Sequence, residues 1–77
     1  MKEHISELNP LAIFYDGFDE AIIGIDDREC RVVYDYIKII DILMREMTYE
    51  EALDYYSYNI ASMYVGPSTP IILNTLN

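Results

Sequence analysis

Apolar runs separated by turn residues occupy the first half of the chain, and this pattern predicts short β-strands. Gly24, inside the second run, indicates a bulge or a close backbone approach. Because the connections between the runs are short, we expect an antiparallel meander. The three predicted strands cover residues 11–15, 21–25 and 30–34.

The spacing of apolar positions becomes helical after the third strand. Asp35 is a favourable N-cap residue, and a first helix is expected to begin beside it. Thr48 and Glu51 match a capping box, which predicts a second helix that follows with almost no linker. Gly66-Pro67 ends the helical region, and residues 70–73 form an extended segment suited to an edge strand.

These elements predict an α+β fold in which a small antiparallel β-meander of three to four strands packs against a two-helix corner. A length of 77 residues predicts a single domain spanning residues 1–77. Residues 1–9 are expected to form a mobile N-terminal segment. A core of this size supplies little net stability, so association with a partner or a second copy is a plausible addition.

Charge is distributed unevenly along the chain. All 19 charged residues lie at or before Asp54, and the last 23 residues carry none. The net charge of −9 argues against direct binding of nucleic acid or of an anionic membrane surface. No apolar run is long enough for a membrane span or a signal core. Cys30 is the single cysteine, which excludes an internal disulfide and suggests the reducing cytoplasm.

Tyrosines on the second helix predict an interface. At 100° per residue, Tyr58 projects almost opposite the side expected to face the sheet, and Tyr55 lies about 120° from that side. Tyrosine is enriched at interface centres, so Tyr55, Tyr58 and Tyr64 are the predicted anchors for a partner. In the plainer alternative, these rings only cover neighbouring loops. The side expected to face the sheet carries Tyr49, Ala52, Leu53, Tyr56, Ile60 and Met63.

Two acidic turns flank the second predicted strand, and their carboxylates are predicted to steer a basic partner. Solvated turn residues are the default interpretation, and a weak metal site is a minor one. The two turns are expected to lie about 17 Å apart, too far to share one metal. No catalytic residues, metal ligands or cofactor are predicted, and the chain is interpreted as a non-enzyme. The proposed steering residues are Asp16, Asp19, Glu20, Asp26 and Asp27.

Most of the chain resembles a family of short, mostly uncharacterised proteins of tailed bacteriophages. The resemblance rests on blocks at Asp16–Ile25, Val33–Tyr36, Ile42–Ile60, Tyr64–Gly66 and Thr69–Ile71. It implies a protein acting in the cytoplasm of an infected or lysogenic bacterial host, and it brings no established activity or catalytic residues.

The phage context and the acidity together favour an accessory protein that binds a host protein and modulates or inhibits it. A nuclease or a defence complex with a basic surface is the expected kind of target. One alternative is a homodimeric structural or scaffold protein closed by the uncharged C-terminal segment. A less favoured alternative is a metal- or nucleotide-binding protein.

Overall fold

Three strands form one mixed sheet within residues 2–75, the part of the chain that this computed structural model describes. Met1, Leu76 and Asn77, the ends of the predicted domain and of its uncharged tail, lie outside the described residues. The sheet order is β1-β2-β3, with β2 in the centre. The strands are β1 (Ile22–Ile25), β2 (Val32–Asp35) and β3 (Ile71–Leu73).

The predicted α+β class is confirmed, but the fully antiparallel meander is wrong. β1 pairs with β2 antiparallel through a short connection, as expected. β3 pairs with β2 in parallel, and it lies at the sheet edge as predicted. A parallel neighbour needs a long crossover, and the two helices between β2 and β3 supply it. The short connections therefore predicted the pairing of β1 with β2 correctly, but not the pairing of β2 with β3.

Three α-helices accompany the sheet. The expected two-helix corner is formed by α2 (Tyr36–Leu43) and α3 (Tyr49–Tyr56), whose first residues follow Asp35 and Thr48 as predicted. The rings of Tyr36 and Tyr56 meet edge to face at 5.0 Å where these helices pack. A π-helical segment (Ser57–Ala61) continues α3, and a short 3₁₀-helix (Asp19–Ala21) precedes β1.

The N-terminal segment differs from the expected mobile region. It forms helix α1 (Lys2–Leu8), and Ile5 on that helix is only 2% exposed within the core. The Asn9 side chain fixes the end of this helix by donating to the carbonyl of Cys30 at 3.2 Å. A single apolar residue among polar ones carries little periodic signal, which is why the sequence did not predict this helix.

Residues 11–15 are extended but do not form the predicted strand. Leu11 is 77% exposed, whereas Tyr15 is buried. The backbone N–H of Tyr15 donates to the phenolic oxygen of Tyr34 at 2.8 Å rather than to a strand carbonyl. Lys2 lies over the ring of Phe14, 5.1 Å from its centroid. Side-chain contacts from other elements therefore hold this segment in place.

The connection between β1 and β2 is a tight loop. Asp26 shapes it, because its carboxylate accepts from the backbone N–H of Glu29 at 2.7 Å. Cys30 adopts a φ of 56°, the left-handed conformation that non-glycine residues seldom take, so the strand begins only at Val32. The ladder shifts register between Ile22 and Gly24, which confirms a bulge-like irregularity there.

One cluster of buried side chains lies between the sheet and the helices. Tyr34 and Val32 on β2 are fully buried, as are Ile39 on α2 and Ala52 on α3. Met63 was expected to face the sheet but is 39% exposed. The π-helical segment has more residues per turn than an α-helix and ends before Met63, so the 100° spacing fails there. The remaining members of the cluster are Ile5, Tyr15, Phe18, Ala21, Ile22, Ile40, Leu43 and Ile60.

Candidate functional site

Helix α3 is positioned by its capping box. The side-chain oxygen of Thr48 accepts from the backbone N–H of Glu51 at 3.2 Å, and the Glu51 carboxylate accepts from the N–H of Thr48 at 3.0 Å. The two bonds satisfy N–H groups that the first turn of a helix otherwise leaves without partners. With Ala52 buried on the inner side, Tyr55 stands on an outer side of the helix at 42% exposure.

Tyr55 lies where three surface depressions meet. One, of about 400 Å³, lies between α2 and the turn that begins at Asp16. A second, of about 350 Å³, runs along the outer side of α3 to Tyr58. The third, of about 200 Å³, lies between the π-helical segment and residues 13–16. Tyr55 lines all three, so the three depressions adjoin one another at this residue.

We call this surface the Tyr55 groove. Its floor is apolar, since Phe18 and Met47 contribute to it beside the aromatic ring of Tyr55. Its outer wall is Tyr58, which is 81% exposed. The groove is defined by Asp16, Phe18, Arg45, Glu46, Met47, Glu51, Asp54, Tyr55, Tyr58 and Asn59.

The rim of the groove is acidic. Asp16, Glu46, Glu51 and Asp54 contribute carboxylates, and all four are exposed. The pKa of the Glu51 carboxyl is lowered below its ordinary value, chiefly by the hydrogen bond that it accepts from the backbone N–H of Thr48 and secondarily by the Thr48 side chain. Glu51 is therefore ionised at neutral pH, and it adds a fixed negative charge beside the aromatic centre.

Arg45 is the cationic side chain that lines the groove, and Glu20 already engages it. The guanidinium of Arg45 makes a forked contact with the Glu20 carboxylate at 2.8 and 3.2 Å. The hydrogen bond and the charge of Arg45 lower the pKa of Glu20. Because both groups are exposed, this pair adds little to stability. It does offset the positive charge of Arg45, which leaves the groove net negative.

Of the predicted partner-binding residues, the structure brings Tyr55, Tyr58 and Asp16 together. Tyr64 is 77% exposed in the loop after the π-helical segment, and it lines none of the three depressions. Its predicted role as an anchor therefore has no geometric link to Tyr55.

The other predicted carboxylates line none of the three depressions. Asp19 pairs with Lys2 at 3.4 Å, and Glu20 pairs with Arg45. Asp26 and Asp27 lie in the hairpin loop, at the opposite end of β1 from the turn that carries Asp16. The two acidic turns are thus separated by the strand, as the sequence predicted.

Several groove residues were missed by the sequence interpretation. Glu51 and Asn59 lie four residues before and four residues after the predicted anchor Tyr55, the spacing that places side chains on one helical side. This spacing identifies Glu51 and Asn59, whereas Met47 precedes α3 and has no such signal. The contribution of Asp16 depends on tertiary packing and has no such local signal.

Burial raises the pKa values of Tyr15, Tyr34 and Tyr56, so their phenols stay protonated at neutral pH. Within residues 2–75, no group of three or more His, Cys, Asp or Glu side chains is arranged to hold a metal ion. Asp19 and Glu20, central to the metal alternative, instead contact cationic side chains.

Comparisons of the chain with protein-family models, with curated proteins and with solved structures gave no match. None of the helices in the described part of the chain is both long and apolar enough to cross a membrane.

Proposed function

We propose that this chain is a non-enzymatic binding protein whose Tyr55 groove docks a partner protein through a basic surface. The observation that carries the proposal is the position of Tyr55, which lines three adjoining depressions within an acidic rim. Protein interfaces commonly combine a central aromatic anchor with charged groups at the edge.

The two tyrosines supply most of the contact energy in this proposal. Tyr58 is 81% exposed and Tyr55 is 42% exposed, so docking removes a large aromatic area from water. A partner arginine placed over either ring is attracted to the ring face and also reaches the carboxylates of Glu51 and Asp54. The carboxylates mainly raise the association rate and orient the partner.

The proposed setting is the cytoplasm of a bacterium that carries a tailed phage, with the chain acting as a phage accessory protein. The resemblance of its sequence blocks to short phage proteins supports this setting, and the net charge of −9 supports a basic target. A host nuclease or nucleic-acid-guided defence complex binds phosphates through Lys and Arg. An acidic surface can occupy such a cationic groove, so inhibition of a protein of this kind is the proposed outcome.

A peptide titration followed by NMR tests whether the groove recognises basic chains. The ¹⁵N-labelled protein is titrated with a synthetic peptide of alternating arginine and leucine. We expect amide shift changes centred on Met47, Tyr55 and Asn59, and we expect them to fade as salt is raised. The Tyr58→Ala variant should reduce them.

The hairpin loop at Asp26–Glu29 provides an internal comparison, because it is acidic but carries no aromatic side chain. Shift changes of equal size in that loop and in the groove would show non-specific charge attraction. That result would reject the groove as the docking site. Shift changes confined to the loop would reject it as well.

A further inference from the structure

Helix α3 and the π-helical segment that continues it present a mixed set of side chains to one depression. This depression, of about 350 Å³, is the part of the Tyr55 groove that runs along the outer side of α3. Its lining combines two aromatic rings, two carboxylates, one amide and one thioether, and the described residues that form it include no Lys or Arg. The lining residues are Met47, Glu51, Asp54, Tyr55, Tyr58 and Asn59.

The two carboxylates of this depression have acceptor oxygens to offer. Glu51 uses Oε1 to accept from the backbone N–H of Thr48 at 3.0 Å, and its other oxygen takes no part in that bond. The carboxylate of Asp54 forms no ion pair with any residue in the described part of the chain. A cation that enters the depression therefore meets negative charge that residues 2–75 do not neutralise.

The amide of Asn59 is held in one orientation. Its Nδ2 donates to the backbone carbonyl of Tyr55, one turn earlier, at 3.1 Å. With Nδ2 engaged in this way, the other end of the amide is the acceptor Oδ1. Among residues 2–75 no group donates to that oxygen, and the side chain is exposed. Asn59 thus adds a fixed neutral acceptor to the two carboxylates.

The end of this helix has no cation of its own. Carbonyl groups in the last turn of a helix carry partial negative charge and favour a nearby cation. Because every charged residue lies at or before Asp54, the π-helical segment Ser57–Ala61 supplies none. Tyr58 and Asn59 belong to this segment. A cation bound beside them is stabilised by the helix end as well as by the carboxylates.

A guanidinium group suits this lining better than an ammonium group. It is planar, so one face can stack on a tyrosine ring while the N–H groups at its edge stay available to acceptors. Tyr55 and Tyr58, three residues apart on the outer side of the helix, supply the rings. A lysine ammonium is a compact, strongly hydrated point charge, and it cannot stack and fork in this way.

We propose that this depression binds an arginine side chain of the partner, and that Asn59 makes it prefer arginine to lysine. The guanidinium stacks on the exposed ring of Tyr58, and its edge donates to the Asp54 carboxylate and to Oδ1 of Asn59. Met47 contacts the apolar stem of the arginine. This inference rests on the proposed function, since the arginine belongs to the docked basic partner.

Matched peptides test the preference on the full chain. The ¹⁵N-labelled protein is titrated with the alternating arginine–leucine peptide and with the same peptide carrying lysine for every arginine. We expect the arginine peptide to bind about fivefold or more tightly, the effect of about one hydrogen bond. Dimethylation of each arginine keeps its charge but blocks forked hydrogen bonding, so the methylated peptide should bind about as weakly as the lysine peptide.

Asn59→Leu tests the specificity residue itself, because leucine has a similar volume and no acceptor. It should reduce the preference for arginine to about twofold or less and leave the affinity for the lysine peptide unchanged. Asn74→Leu is the matched control, since Asn74 is exposed and lines none of the three depressions. It should keep the native preference. Circular dichroism checks that both variants fold, and the methylated peptide tests the native chain in either case.

The outcomes separate this inference from the proposed function. Equal affinities of the native chain for the arginine and lysine peptides would overturn the inference, although the groove would still bind basic chains. Absence of groove shift changes with either peptide would overturn both proposals. A folded Asn59→Leu variant that keeps the full preference, or that loses affinity for both peptides alike, would overturn the role of Asn59 in choosing arginine.

Discussion

The phenolic oxygen of Tyr34 accepts a 2.8 Å hydrogen bond from the backbone N–H of Tyr15, inside the core. The two rings also pack together, with centroids 4.9 Å apart. This contact supplies the partner that a strand would have offered to the Tyr15 N–H. It holds residues 13–16, which form one wall of the Tyr55 groove, so core and candidate site depend on the same bond.

Removing that hydroxyl should destabilise the fold. Tyr34→Phe leaves a buried backbone N–H without an acceptor, and the expected loss in the free energy of unfolding is about 1–3 kcal/mol. Urea denaturation measures it. Tyr58→Phe, which removes a hydroxyl from an 81% exposed ring, is the matched control and should have almost no effect. Equal stability of the two variants would contradict the structural role of this bond.

Alkaline pH should destabilise the chain. Burial raises the pKa of Tyr34 and Tyr56 above the ordinary 10.0, and it raises that of Tyr15 despite the opposing charge of Arg31. A phenol with a raised folded-state pKa contributes its stability fully below pH 10.0 and loses it as pH rises through the folded-state pKa. Urea midpoints measured upward from pH 8 should fall beyond about pH 10, the pKa of an ordinary tyrosine.

Absorbance of tyrosinate provides the accompanying readout. Ionisation of Tyr15, Tyr34 and Tyr56, whose pKa values burial raises, should coincide with unfolding. A stability profile that stays level while every tyrosine ionises would show that the buried phenols are not coupled to folding.

The capping box should be visible in the acid dependence of stability. The folded-state pKa of Glu51 lies below the ordinary 4.5, chiefly because of the hydrogen bond from the Thr48 backbone. The stability that this group contributes is therefore present above pH 4.5 and is lost as pH falls through its folded-state pKa. Glu51→Gln should remove that part of the acid dependence.

Glu50→Gln is the control for this measurement, since it removes the same charge from the same helical turn without the bond to Thr48. Chemical denaturation between pH 7 and pH 3 compares the two variants with the native chain. If both variants keep the native acid dependence, the carboxylate of Glu51 does not act as a cap in solution.

Two glycines should respond oppositely to alanine. Gly66 has a φ of 111°, which alanine adopts only with strain, so Gly66→Ala should lower stability by about 1 kcal/mol or more. Gly24 lies outside that region and has open space at its Cβ position. Gly24→Ala should raise stability by about 0.4–1 kcal/mol, because it restricts the unfolded chain.

Thermal and urea unfolding of the two alanine variants at one protein concentration checks this pair. A destabilising Gly24→Ala would mean that the bulge in β1 requires glycine for a reason other than space. An unchanged Gly66→Ala would mean that the loop accommodates the side chain by shifting its backbone.

Local signals in the sequence predicted α2 and α3 better than α1 or the sheet. Thr48 and Glu51 act on residues three positions apart, so the start of α3 could be predicted closely. The parallel pairing of β3 with β2 depends on how a long crossover returns, which no local pattern records. Residues 11–15 have the composition of a strand, but the backbone N–H of Tyr15 donates to the hydroxyl of Tyr34 and not to a neighbouring strand.

The part of the candidate site that lies on one helix could be predicted from the sequence, and the part that depends on tertiary packing could not. The outward direction of Tyr55 and Tyr58 followed from helical spacing. Asp16 and Tyr55 line the same depression because the turn packs beside α2 and α3, and this tertiary packing leaves no local pattern in the sequence. Glu20 was predicted to steer a partner, yet it contacts Arg45 from a distant part of the chain. Ion pairs between distant segments cannot be inferred from the charge pattern alone.

The most direct test of the central claim is a comparative affinity purification from bacterial lysate with the native chain and three variants as baits. Tyr55→Ala and Tyr58→Ala alter the groove, whereas Tyr64→Ala changes a tyrosine of similar exposure outside it. We expect a protein with a basic surface, held in equal amount by the native and Tyr64→Ala baits and lost from the other two. The same proteins on all four baits, or none on the native bait, would contradict the assignment of the Tyr55 groove as a partner-binding site.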